Sequence, residues 1–210
     1  SQHLCFNMFG EMSFNLSLGT QFFSRVLPHE VAEVTSVVYD YSTRKGKPDW
    51  TTFDVYVEYI SVSGEEKCLG IMVRYCENMK EEEEGKSLRL FHKYSEQYQA
   101  LANDSGYFSL TDYKEMASPP FGEIWRAHLL CYNMSTDTKL ARKGEFMVLY
   151  PYNNDPCDLV VRDYQERYLQ SSEQKSKFYT FDLNFFMRTI DEIANSKWSK
   201  ELVERYLVEE

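Results

Sequence analysis

A chain of 210 residues with 43% apolar and 16% aromatic side chains has ample material for one compact core, which excludes a disordered chain. Its formal charge of -10 repels a polyanion at long range, so contact with nucleic acid requires a local basic patch. Five cysteines with no CxxC pair and no Cys/His cluster exclude the usual zinc modules, and no run approaches the ~18 apolar residues of a membrane span.

The odd cysteine count and the lack of a leader-like start point to reduced thiols, a cytoplasmic location and no membrane association. The opening Ser1-Gln2-His3 has no initiator Met, so the natural chain is expected to extend upstream.

In chain order, apolar spacing predicts a first helix over Asn15 to Leu27, stopping before Pro28. Val34 to Tyr41, rich in β-branched and aromatic residues, reads as a strand, and Arg44 to Asp49 as a turn. Thr51 to Ile60 sets Phe53, Val55, Val57 and Tyr59 against Asp54, Tyr56 and Glu58, the period of two of a half-buried strand. After a turn at Ser61 to Glu66, Cys68 to Tyr75 completes an antiparallel meander. Helices follow over Leu88 to Leu101 and Phe121 to Tyr132, then a strand over Glu145 to Tyr150 and a helix over Leu159 to Leu169. A short strand at Phe178 to Phe181 leads to Asp182, read as the N-cap of a helix over Leu183 to Ala194, and a last helix spans Ser199 to Leu207. The order implies a single α/β domain over 1–210, a central mixed sheet flanked by helices.

The strongest local signal is Asp54 on one strand, a glycine-bearing turn, and the strand Gly70-Ile71-Met72-Val73-Arg74-Tyr75. Neighbouring strands can bring carboxylates to one spot and hold Mg²⁺ by oxygen. Side chains two apart on a strand share a face, so a basic group placed two residues past a carboxylate faces the same reaction.

Here the chain resembles the PD-(D/E)xK nuclease superfamily, in particular its bacterial restriction endonuclease branch. The similar segments are CFNMFGEM at Cys5 to Met12, VVYDYS at Val37 to Ser42, TTFDVYVEY at Thr51 to Tyr59, GIMVRY at Gly70 to Tyr75, IWRAHLL at Ile124 to Leu130 and FMVLYP at Phe146 to Pro151. The resemblance implies a restriction-endonuclease-like fold, Mg²⁺ as cofactor, DNA as partner and a setting in bacterial defence or DNA processing. It also puts Asp54 at the first carboxylate and metal-binding position, Met72 where the second carboxylate is expected and Arg74 where the lysine is expected. A thioether is a poor ligand for a hard ion, and a guanidinium does not deprotonate to act as a base. The expectation is a nuclease-fold protein whose metal-dependent cleavage is lost or slow, with no cofactor unless active.

An active Mg²⁺-dependent endonuclease would need a carboxylate relocated to Asp40, Glu58 or Glu77. As DNA contacts, the basic turn Arg44, Lys45 and Lys47 and the helix residues Arg126 and His128 are candidates, though side chains two apart on a helix point about 200° apart. Lys139, Arg142 and Lys143 make a second basic stretch. A third reading is an acidic protein-interaction module, with Glu81 to Glu84 as part of its surface and a basic protein as partner.

Overall fold

The computed structural model describes residues 2–42, 51–77, 79, 86–109, 113–136, 143–169, 173, 175 and 177–207. Two helices open the chain, α1 (Gln2–Phe14) and α2 (Leu16–Val26), and the meander β1 (Val31–Tyr41), β2 (Phe53–Ser61) and β3 (Glu66–Val73) follows. Four helices, α3 (Lys86–Lys93), α4 (Ser95–Ser105), α5 (Tyr113–Ala117) and α6 (Gly122–Thr136), lead to β4 (Lys143–Tyr150). The chain continues through α7 (Asp155–Tyr168), β5 (Phe178–Asp182), α8 (Leu183–Ala194) and α9 (Lys197–Tyr206).

The strands form one sheet in the order β1-β2-β3-β4-β5, antiparallel among the first three and parallel from β3 to β5. This is the mixed α/β sheet of a restriction-endonuclease-like fold. Helices must cover both faces, because parallel strands joined by helical crossovers are buried on both sides. Phe146, Val148 and Tyr150 of β4 accordingly pack with residues of α4 to α7, while Met147 and Leu149 pack with α1, α2 and α8.

Local chemistry fixes several boundaries. The Asn15 side chain accepts from Leu18 N–H at 3.1 Å and starts α2, whose Gly19, Phe22, Phe23 and Val26 are buried at helical spacing. Asp182 ends β5 and caps α8, its carboxylate accepting from Asn184 N–H at 3.3 Å and Phe185 N–H at 3.2 Å.

Three departures from the expectation stand out, one of them the short helix α5, which goes unread in the sequence. Helix α1 goes beyond those read from the sequence; it buries Leu4, Cys5, Met8, Phe9 and Met12 yet leaves Phe6 and Phe14 exposed, so no clean apolar stripe announces it. The single helix expected over Leu88 to Leu101 is two, α3 and α4, joined at Tyr94. Phe91 from one and Tyr98 from the other both pack on Trp125 of α6, with ring centroids 5.9 and 5.3 Å away.

Candidate active site

The start of β2, the end of β3 and the first turn of α6 meet at a cleft of about 330 Å³, lined by Asp54, Met72, Arg74, Glu123 and Arg126 among others. Antiparallel register brings the first two together: Val55 pairs with Ile71, and one step further Asp54 stands opposite Met72. Arg74 follows directly on β3, and its N–H donates to the Leu149 carbonyl at 2.8 Å, which carries the hydrogen bonding to β4 one residue past the strand. Glu123 lies in the first turn of α6, and Arg126 lies three residues on, on the same side of the helix.

The polar groups are already bonded to one another. Asp54 Oδ2 accepts from the Val73 N–H at 2.7 Å and from Arg74 Nη1 at 3.1 Å. Arg74 Nη2 donates to Glu123 Oε1 at 2.5 Å, and Nη1 also donates to the Val73 carbonyl at 2.7 Å. Arg126 Nε donates to Thr51 Oγ1 at 3.3 Å. Burial pushes the Asp54 carboxyl above its ordinary range, opposed by the Arg74 charge and the Val73 N–H. For Arg74 burial works against the charge, but Glu123 and Asp54 outweigh it and hold the guanidinium more firmly protonated than usual.

This donor set does not fit Mg²⁺. The ion demands near-octahedral oxygen ligands at ~2.0–2.1 Å, whereas Met72 brings a buried thioether and Arg74 a fixed positive charge on the same carboxylate oxygen. Among the described residues no group of three or more His, Cys, Asp or Glu side chains is placed to hold a metal ion.

The other site residues expected from sequence fall in different places. Asp40, in a left-handed conformation (φ 46°), accepts from Thr52 Oγ1 at 2.7 Å and does not line the cleft. The Glu77 carboxylate caps its own turn, accepting from the N–H groups of Tyr75 at 2.7 Å and Cys76 at 3.1 Å. Glu58 sits opposite Cys68, farther along β2. Arg126 faces the cleft, but His128 lies 3% exposed on the covered side of α6, hydrogen-bonded to Tyr164 at 3.0 Å; the helix period separates them. Arg44, Lys45 and Lys47 lie outside the described residues, as do Lys139, Arg142 and Glu81 to Glu84. Lys143 begins β4 and pairs with Glu65 at 2.7 Å.

Glu123 is the site residue that sequence reasoning missed. It immediately precedes the IWRAHLL segment and sits three positions before Arg126, a spacing that shares a helix face, yet nothing local to it points toward Asp54. No helix among the described residues is long and apolar enough to cross a membrane.

No curated protein and no solved structure matches the chain. A family model described as the PD-(D/E)XK nuclease superfamily matches residues 1–208. With nearly the whole length covered by that model, the chain belongs to the PD-(D/E)XK nuclease superfamily.

Proposed function

We propose that the chain is a nuclease-fold protein that has lost Mg²⁺-dependent cleavage and serves as a DNA-contacting or scaffold component of a bacterial DNA-processing or defence system. The observation that carries this reading is the Arg74 guanidinium lodged between Asp54 and Glu123, 3.1 and 2.5 Å from them. Cleavage in this chemistry needs a metal that activates water, worth several kcal/mol of transition-state stabilisation, and a group able to take a proton. Arg74 keeps the charge of a lysine but stays protonated at any working pH. DNA contact, if made at this cleft, would run through Arg126 and Lys86, which line it, and the binding would be weak and salt-sensitive against an overall charge of -10.

Incubating the chain with plasmid and linear DNA in Mg²⁺ or Mn²⁺ tests the loss of activity. No cleavage above a metal-free control is expected; robust cutting abolished by Asp54→Ala would overturn the reading. It would favour the active alternative, in which Mg²⁺ is the cofactor and Glu123 supplies the relocated carboxylate. Binding is tested at low salt, where attraction to a polyanion is greatest. Undetectable DNA binding there would turn the assignment toward an acidic module with a basic protein partner, which the net charge favours.

A further inference from the structure

Where β4 and β5 end, one carboxylate fixes the main chain beneath two exposed aromatic side chains. Asp182 Oδ1 accepts from the Tyr152 N–H at 3.1 Å and the Asn184 N–H at 3.3 Å, and Oδ2 accepts from the Phe185 N–H at 3.2 Å. Tyr152 is 54% exposed and Phe185 46%, and Leu159 of α7 is 59% exposed. Single exposed apolar side chains are common on any protein. Here two share an anchor, and each is backed by a further ring: Tyr150 lies 5.7 Å from Tyr152 and Phe181 lies 6.2 Å from Phe185, centroid to centroid. A second carboxylate joins them, because the Tyr150 hydroxyl donates to Asp158 Oδ1 of α7 at 2.9 Å. Burial pushes the Tyr152 hydroxyl above its ordinary pKa, and Asp182 and Asp158 add to the push, which puts both carboxylates within electrostatic reach of that ring. Asp155, exposed in the first turn of α7, is a third acid. Arg162 is engaged with Asp158 at 2.8 Å and Arg188 stands one turn past Phe185, so the carboxylates prevail.

We propose that this edge is a docking surface for a basic segment of a partner protein: an arginine of the segment lies over the Tyr152 ring with its charge toward Asp158 and Asp182, and apolar neighbours rest on Phe185 and Leu159. A ring face attracts a cation, and a guanidinium both stacks on the ring and forks to a carboxylate, which an ammonium does less well. Three main-chain N–H groups hold Asp182, yet a carboxylate offers about four acceptor positions and keeps its charge. The same carboxylates repel phosphates, which argues against a nucleic acid here. A formal charge of -10 draws a basic partner from a distance and opposes the approach of a second copy of the chain. The carboxyl ends of parallel strands are also where open α/β sheets present their binding surfaces. The inference does not depend on whether the cleft at Asp54 cleaves DNA.

The probe is an acetylated, amidated peptide of alternating leucine and arginine, titrated into the native chain at low salt and followed in proton–nitrogen correlation spectra. Its lysine and glutamate counterparts serve as controls. The Tyr152 and Phe185 N–H signals, which report on the Asp182 carboxylate, are expected to shift saturably with the arginine peptide, less with lysine and not with glutamate. Tyr152→Leu keeps the apolar bulk but loses the ring face, and should weaken binding by about fivefold. Asp158→Asn combined with Asp182→Asn keeps the hydrogen-bond acceptors but removes both charges. It should weaken binding by about tenfold and flatten its salt dependence. The proposal is overturned if neither cationic peptide moves those two signals, or if neither set of substitutions changes the Kd. Equal shifts with the glutamate peptide would mean plain apolar contact and overturn it as well. A single-stranded DNA oligonucleotide that moves the same signals would hand the surface to nucleic acid, and a dimer in sedimentation that Tyr152→Leu abolishes would hand it to a second copy; either result overturns the proposal. Should Tyr152→Leu melt well below the native chain, Phe185→Ala and the double asparagine variant decide the matter by the same criteria.

Discussion

Gly70 lies directly beneath the ring of Phe53: a Cβ added to Gly70 would stand 2.2 Å from Phe53 Cε1. The ring belongs to the residue before Asp54, is 1% exposed and stacks with Tyr56 at 6.1 Å, so it has no open space to enter. Gly70→Ala is therefore expected to cost about 1–3 kcal/mol in urea unfolding and to displace the start of β2 together with Asp54. Combining it with Phe53→Leu should recover part of the loss, as a smaller side chain leaves room for the methyl. Gly144→Ala should be harder to rescue, because its Cβ would meet the main-chain carbonyl oxygen of Cys131 at 2.4 Å.

His128 makes the fold sensitive to acid. Its ring stacks on Phe146 at 5.5 Å and Tyr107 at 4.9 Å, and Nδ1 shares a hydrogen bond with the Tyr164 hydroxyl at 3.0 Å. Burial lowers its pKa to about 3, so the unfolded chain binds the extra proton and the native chain does not. With the folded pKa depressed, the unfolded state holds more protons between about pH 6.5 and pH 3, and stability falls as pH falls through that window. The contribution at about pH 4 is a loss on the order of 3 kcal/mol relative to neutral pH. His128→Phe keeps the stacking and removes the titration. It is expected to cost about 1–3 kcal/mol at neutral pH by stranding the Tyr164 hydroxyl, and to close that gap as the pH is lowered. A gap that stays constant between about pH 7 and pH 4 would show that this histidine titrates normally.

What the sequence made legible follows the range of each signal. Strand β2 was readable because it is buried on one face more than the other, and β4 because Phe146 to Tyr150 is an apolar run too short for a helix. The cap at Asp182 was readable because one side chain and two N–H groups of the turn that follows, those of Asn184 and Phe185, decide it. Helix α1 was not: Phe6 is 47% and Phe14 93% exposed, so apolar residues lie around much of its circumference and blur the period. At the cleft, Asp54, Met72 and Arg74 come from the resemblance of TTFDVYVEY and GIMVRY to the nuclease motif, which fixes positions along two neighbouring stretches of chain. Glu123 depends on where α6 crosses the end of β3, which tertiary packing sets and no local pattern records.

A second ionic centre sits at the far end of the sheet from the cleft, and its behaviour separates fold stability from site chemistry. Lys67 Nζ lies 2.5 Å from Glu30 Oε1 and 3.4 Å from Glu145 Oε1, and the Tyr179 hydroxyl donates to Glu145 Oε2 at 2.8 Å. Burial pushes the Glu145 carboxyl up, against the Tyr179 hydrogen bond and the Lys67 charge; the nearby Glu30 adds to the push. Lys67→Met leaves two partly desolvated carboxylates without their cation, and breaking a buried pair in this way costs about 3–5 kcal/mol at neutral pH. A carboxyl whose folded pKa is raised destabilises the native state most when it is ionised, above that pKa, and the cost is relieved as pH falls through it. The Lys67→Met deficit should therefore shrink as the pH is lowered from neutral, and Glu145→Gln should rescue the variant at neutral pH, since a neutral amide still accepts from Tyr179. Urea unfolding of the two single variants and the double variant closes the cycle, with a coupling of at least about 1 kcal/mol expected. Additive costs would mean that Lys67 and Glu145 act independently.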